Sequence, residues 1–245
     1  MKLKCVISFR GTAYCGWQVQ KNGKSVQQTL QDASEKLFGF RPDVTGCSRT
    51  DSGVHAKYYV CTFSPADGMT VPAEKVPTAL NVFLPDDISV LSCERVDDSF
   101  HPRYSAKGKE YTYLILNRPE RDPFLSGLAL HYKRPLNVEK MRECAFPILG
   151  KHDFTSFMAK GSDIEDAVRT VSSLAVQKEG ELVSIKIAAD GFLYNMVRII
   201  VGTLIEASEG RFDREDVERI IASRDRTLAG HTAKEYGLYL TGVYY

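Results

Sequence analysis

Much of what would give a 245-residue chain an easy identity is missing. There is one tryptophan. No apolar run approaches the ~18 residues of a membrane span, so no such span is expected. The six cysteines (5, 15, 47, 61, 93, 144) include no CxxC pair and no Cys/His cluster at zinc-ligand spacing. A structural zinc site is therefore not expected, and free buried thiols in a reducing compartment are. No glycine-rich dinucleotide fingerprint occurs, and no repeat recurs at a fixed period. Met1-Lys2-Leu3-Lys4-Cys5-Val6 runs straight into a strand pattern without the apolar region of a signal peptide, so a cytoplasmic protein is expected. The net charge of +1 announces no nucleic-acid partner, although a neutral total can hide a basic face. What remains, with 43% hydrophobic and 26% charged residues, is the profile of a globular protein of one or two domains.

Taken in order, the elements read as α+β. Leu3, Cys5, Ile7 and Phe9 alternate as the apolar face of a strand. A loop with Trp17 follows, its indole reading as a cap on a core edge or a surface for stacking a base. Ser25 and Gln28 have capping-box spacing, Val26, Leu30, Ala33 and Leu37 share a stripe, and Gly39 ends the helix. Strands are expected over 55–63 and 88–96, with a short helix over 73–81 weakened by Pro77. The polar segment 98–106 reads as a crossing between two halves, 1–105 and 106–245. The second half opens on a strand, 107–116, with Tyr111, Tyr113 and Ile115 on one face. Asn137 is expected to cap a helix running to Gly150. A hairpin over 168–188, an apolar helix over 192–206, a helix capped by Asp213 and a closing strand with Leu238, Leu240 and Val243 complete it. The halves repeat element order only.

Three features carry chemistry. Gly46-Cys47-Ser48-Arg49-Thr50-Asp51-Ser52-Gly53-Val54-His55-Ala56 has neither helical nor strand period. It reads either as a solvated turn with a surface ion pair or as a reactive carboxylate, Asp51, oriented by Arg49. Arg198 stands in an apolar helix, where a guanidinium either snorkels to water or finds an anion: a carboxylate such as Asp51, or a phosphate. Tyr111, beside Lys109 and Glu110, is either sheet packing or a platform for a flipped base. His55 reads as structural, holding the loop. Arg103, Lys107, Lys109, Lys133 and Arg134 are solvated charges or phosphate contacts.

At these residues the chain resembles the tRNA pseudouridine synthase A family. Residues 46–56 match its active-site signature. Gly16-Trp17-Gln18-Val19-Gln20, Leu84-Pro85-Asp86-Asp87-Ile88, Phe100-His101-Pro102-Arg103-Tyr104-Ser105-Ala106, Tyr111-Thr112-Tyr113, residues 150–157, residues 192–198 and Gly237-Leu238-Tyr239-Leu240 match in the same order. The resemblance implies an isomerase making pseudouridine from uridine at positions 38, 39 and 40 of the tRNA anticodon stem-loop. It needs no cofactor and no metal, and it acts as a homodimer. It implies two similar α+β halves with antiparallel, RRM- or ferredoxin-like sheets joined into one extended sheet around a central RNA-binding cleft. Asp51 is then the nucleophile, Arg49 and Arg198 its neighbours, and Tyr111 the aromatic against the base; Lys109 and Arg103 join Tyr111 in binding substrate. An RNA-binding protein without activity, or the same chemistry on another RNA, are the alternatives. Lys234 stands where the family often has proline, a departure that bears on the shape of the last loop.

Overall fold

The structure, a computed structural model, describes residues 1–161 and 166–245. The chain forms two compact units: Met1–Lys107 with Tyr239–Tyr245, and Gly108–Leu238. Helices and strands mix in both.

In the first unit β1 (Lys2–Phe9) lies between β3 (His55–Ser64) and β4 (Ile88–Val96), antiparallel to each. β2 (Asp43–Gly46) pairs with β3, and β10 (Leu238–Tyr244) runs parallel to β3, setting Tyr239 opposite His55. The alternation read in β1 is real: Leu3, Cys5, Ile7 and Phe9 are all buried. With Leu30, Tyr59, Phe63 and Leu80 they fill the core of this unit.

α1 (Val26–Phe38) begins and ends as its sequence asks. The Ser25 hydroxyl accepts from the Gln28 amide at 3.1 Å, and Gly39 leaves the helix at φ 77°. Pro77 falls in the first turn of α2 (Val76–Asn81), where its missing N–H has no partner to lose, so it does not weaken the helix.

The expectation of six free thiols is wrong for two of them. Cys5 on β1 and Cys93 on β4 stand in register, with Cα atoms 4.2 Å apart, and form a disulfide. Cys47, Cys61 and Cys144 are buried thiols and Cys15 is partly exposed.

In the second unit β5 (Gly108–Asn117) pairs antiparallel with β9 (Leu182–Ala189), which pairs with β8 (Val168–Glu179), and β8 with β7 (Gly150–Asp153). A short β6 (Leu130–Tyr132) lies parallel to the end of β5. Tyr113, Ile115, Met141, Ile148, Phe154 and Phe157 are fully buried here.

Two helices differ from expectation. α3 (Val138–Ala145) stops short of Gly150, because Pro147 turns the chain into a 3-10 segment over Phe146–Ile148. α4 (Met196–Ser208) starts four residues later than 192, because Asn195 adopts the left-handed conformation, φ 60°, outside any helix. α5 (Arg214–Ser223) carries a full capping box between Asp213 and Asp216. Among the described residues, no helix is long and apolar enough to cross a membrane.

Candidate active site

Asp51, Arg49, His55 and Arg103 fall in the first unit, and Tyr111, Lys109 and Arg198 in the second. The loop carrying Asp51 joins β2 to β3 and is fastened on both sides. On one side it lies against residues 11–17. The Trp17 amide donates to the Thr50 carbonyl at 3.1 Å, and the Gly53 amide donates to the Tyr14 carbonyl at 3.4 Å. Two glycines make this approach possible. A Cβ on Gly11 would stand 2.0 Å from the Val54 carbonyl oxygen, and one on Gly16, which sits at φ 102°, would stand 2.5 Å from that of Thr50. On the other side, the Tyr59 hydroxyl on β3 donates to the Ser48 carbonyl, and its ring stacks on Trp17 at 4.2 Å. Trp17 is 3% exposed, so of its two readings the structure shows the core edge.

His55 is fully buried. Its Nδ1 accepts from the Gly11 amide at 3.0 Å, and its ring stacks on Tyr239 at 4.6 Å. The neutral ring therefore carries its proton on Nε2. Burial pushes the Tyr239 hydroxyl up to about 12, so it stays protonated beside that ring. The histidine of this motif ties the end of the loop to residue 11, a structural task.

Asp51 is half-buried and its carbonyl accepts from the Val54 amide at 3.2 Å, closing the turn at Gly53. Arg49 is exposed, and among the described residues it forms no ion pair. The expected clamp of Asp51 by Arg49 is not made here, because the Arg49 side chain goes to solvent.

In the second unit Tyr111 is 7% exposed and meets Phe192 edge to face at 5.1 Å. Lys109 precedes it on β5, half-buried and paired in register with Ala189. Arg198 does not snorkel: its side chain is 14% exposed. Its guanidinium donates to the Ala233 carbonyl at 2.7 Å, to Asn195 Oδ1 at 2.8 Å and to Glu235 Oε2 at 3.2 Å. The left-handed Asn195 thus places an acceptor on the arginine that follows it one turn later. Arg134, exposed, pairs with Glu209 and donates to the Tyr132 hydroxyl at 2.9 Å.

The loop that holds Arg198 is itself latched to α4, by residues the sequence did not single out. A Cβ on Gly202 would stand 1.8 Å from the His231 carbonyl oxygen, and one on Gly230 2.6 Å from the Thr203 backbone. The Gly230 amide donates to Thr203 Oγ1 at 3.0 Å. Glu206, 8% exposed, accepts from the His231 amide at 2.9 Å, from its Nδ1 at 2.7 Å and from Arg211 at 2.6 Å. Lys234 has a backbone that proline could also adopt. Its φ of −61° is the value a proline ring would lock, and its carbonyl accepts from the buried Tyr113 hydroxyl at 2.6 Å.

Burial alone would raise the Glu206 carboxyl, but the hydrogen bonds from His231 and the Arg211 charge outweigh it and hold it below the ordinary glutamate value. Its stabilisation is therefore fully present above that ordinary value and is lost as pH falls through the lowered one. Glu206→Gln is expected to cost about 1.5–3 kcal/mol at neutral pH. The gap between its denaturation midpoint and that of the wild type should hold above the ordinary glutamate value and close only on acidification past the lowered one; a gap that already closes above the ordinary value, or that never narrows in acid, would contradict this.

A cleft of about 630 Å³ in the second unit is lined by Leu116, Arg121, Leu125, His131 and Tyr236, among others. None of the expected site residues lines it. Among the described residues, no group of three or more His, Cys, Asp or Glu side chains could hold a metal ion.

A family model described as tRNA pseudouridine synthase matches residues 5–105, which hold Arg49, Asp51, His55 and Arg103, and 145–245, which hold Arg198; Lys109 and Tyr111 lie between the two stretches. The chain belongs to the tRNA pseudouridine synthase family. It is 48% identical over 240 residues to a tRNA pseudouridine synthase A of Thermoanaerobacter sp. (strain X514), covering 98% of each chain. To those of Ruminiclostridium cellulolyticum and Acetivibrio thermocellus it is 45% identical, over 245 and 243 residues, covering 99% or more of each chain. Among solved structures, a chain of a Cbf5-Nop10-Gar1 complex aligns over 96% of this chain and 57% of its own, at 11% identity and TM-score 0.35, too distant to support an argument. Membership makes the chain an isomerase that converts uridine to pseudouridine.

Proposed function

We propose that this isomerase acts on tRNA, at uridines 38, 39 and 40 of the anticodon stem-loop, with Asp51 as the nucleophile. Full-length similarity to synthases of that name supports the tRNA substrate. The observation that carries the role of Asp51 is the fastening of its loop: backbone bonds to Trp17 and Tyr14, the Gly11 contact and the His55 tie hold a half-buried carboxylate on a preset turn. A solvated surface turn would need none of them.

The reaction breaks the bond from ribose C1′ to N1 and makes one from C1′ to C5, moving a proton from C5 to N1. No electrons are gained or lost. Asp51 adds to C1′, adds to C6, or removes the 2′ proton; each route uses the same ionised carboxylate. Tyr111 stacks on the detached uracil while it rotates, with the base out of its helix. Arg198, held by Asn195, Ala233 and Glu235, supplies the positive potential that favours an ionised Asp51. Arg49, exposed, meets the RNA, and Lys109 and Arg103 contact phosphates. We place the two RRM-like halves around one RNA cleft, domain 1–105 carrying the aspartate loop and 106–245 completing it, in a cytoplasmic homodimer.

Incubation with unmodified tRNA, followed by pseudouridine mapping, tests substrate and position together. Pseudouridine at 38–40 is expected, and modification elsewhere or none would sink the assignment. Arg198→Leu is expected to lower turnover at saturating tRNA by roughly 10²-fold while affinity changes a few-fold, the pattern of an electrostatic contribution to the reaction. An affinity loss with unchanged turnover would place Arg198 on a phosphate instead.

A further inference from the structure

Tyr104 is out of keeping with its surroundings. It is 76% exposed, on a segment that is otherwise firmly held. His101 Nδ1 accepts from the backbone amides of both Arg103 and Tyr104, at 3.1 and 3.2 Å. The His101 amide donates to Ser105 Oγ at 3.1 Å, and the Ser105 amide donates back to the His101 carbonyl at 2.9 Å. The Tyr245 hydroxyl donates to the Pro102 carbonyl at 2.8 Å, and Lys2 Nζ donates to the Phe100 carbonyl at 3.0 Å. A hook fixed at so many points does not expose an aromatic ring through looseness.

The ring also keeps company suited to nucleic acid. The His101 ring lies 4.4 Å from that of Tyr104, tilted by 36°, and the Arg103 guanidinium carbon lies 5.6 Å from its centroid. An exposed phenol packed against an imidazole, with a guanidinium held over the ring, offers a π-surface with a cation beside it. That combination favours an unpaired base with its phosphate, since stacking needs only a π-face and the arginine serves the charge. An apolar protein partner would leave the Arg103 charge and the Tyr104 hydroxyl to be desolvated.

We infer that Tyr104, with His101 and Arg103, forms a stacking platform for an unpaired nucleotide of the tRNA, separate from the uridine being isomerised. The inference rests on the tRNA reading above. The platform holds the RNA and takes no part in the chemistry, so its loss reads out in binding. His101 must be neutral to accept its two amide bonds. Burial, with Lys2 and Arg103 nearby, lowers its pKa and keeps it so at neutral pH.

The test uses the full chain and an unmodified tRNA transcript. Tyr104→Ala is expected to weaken equilibrium binding by roughly 5- to 150-fold, the range for one lost base stack. Turnover at saturating tRNA should stay within a few-fold, and the melting temperature should be unchanged. Tyr104→Trp is expected to bind like the wild type. It also adds a direct reporter, because the one native tryptophan, Trp17, is buried. The emission of the introduced indole should lose its accessibility to acrylamide when tRNA is added. Unchanged binding by Tyr104→Ala, or an indole equally quenched with and without tRNA, would overturn the platform while leaving the enzyme's function intact. A change of oligomeric state in Tyr104→Ala would instead make the ring a protein contact and overturn it as well. A wild-type chain that neither binds nor modifies tRNA would remove the tRNA reading and the platform together.

Discussion

Asp51→Asn is expected to abolish isomerisation while tRNA affinity stays within a few-fold. The amide is nearly isosteric and leaves in place the bonds that the turn makes through the backbone of Thr50, Asp51 and Gly53. It cannot add to carbon, and it cannot take a proton. Turnover should fall by roughly 10⁴-fold or more, the scale on which removing a nucleophile acts. Binding should improve slightly if it changes at all, because a negative charge facing a polyanion is removed. The measurement is single-turnover pseudouridine formation beside a binding isotherm on the same tRNA. A residual rate near that of the wild type would move the nucleophile to another residue.

Gly11→Ala is expected to have a large effect from outside the reacting groups. The new methyl would stand 2.0 Å from the Val54 carbonyl oxygen and 2.7 Å from its carbon, and both obstacles are backbone. No side chain can swing aside. The loop must move away from residues 11–17, and the bond from the Gly11 amide to His55 must lengthen or break. We expect a loss of about 1–3 kcal/mol from overpacking, seen in thermal melts. Turnover should fall further than stability alone explains, because the segment pushed outward is the one bearing Asp51. Gly39→Ala is the control. It has a positive φ of 77° but nothing within 4 Å of the new methyl, so it should lose only about 1 kcal/mol and leave turnover alone. Equal effects of the two on turnover would mean that the contact of residue 11 with the loop does not position Asp51.

The residue string decided whatever depends on neighbours along the chain. Ser25 and Gly39 mark the ends of α1 because capping and a left-handed turn are local interactions. The alternation of Leu3, Cys5, Ile7 and Phe9 is likewise enough to define a buried strand face. Residues 46–56 stand out as a motif, and with the segments around Tyr111 and Arg198 they pointed to the family that the comparisons show. What the string could not show depends on residues far apart in it. Cys5 and Cys93 pair only because two strands 88 residues apart fall into register. β10 joins the first unit although it ends the chain. Arg198 was conspicuous, but its partner Glu235 lies 37 residues on, brought to it by the latch of Glu206 on His231 and the close contact of Gly202 with residue 231. Arg49 misled for the opposite reason: two charges close in sequence suggested a pair, yet the fold turns one of them to solvent.

The motif by itself determined which side chains are candidates for chemistry. Only the tertiary structure decided which of them are held still. Holding a loop takes backbone-to-backbone contacts, and those contacts run through glycines whose importance lies in the side chain they lack.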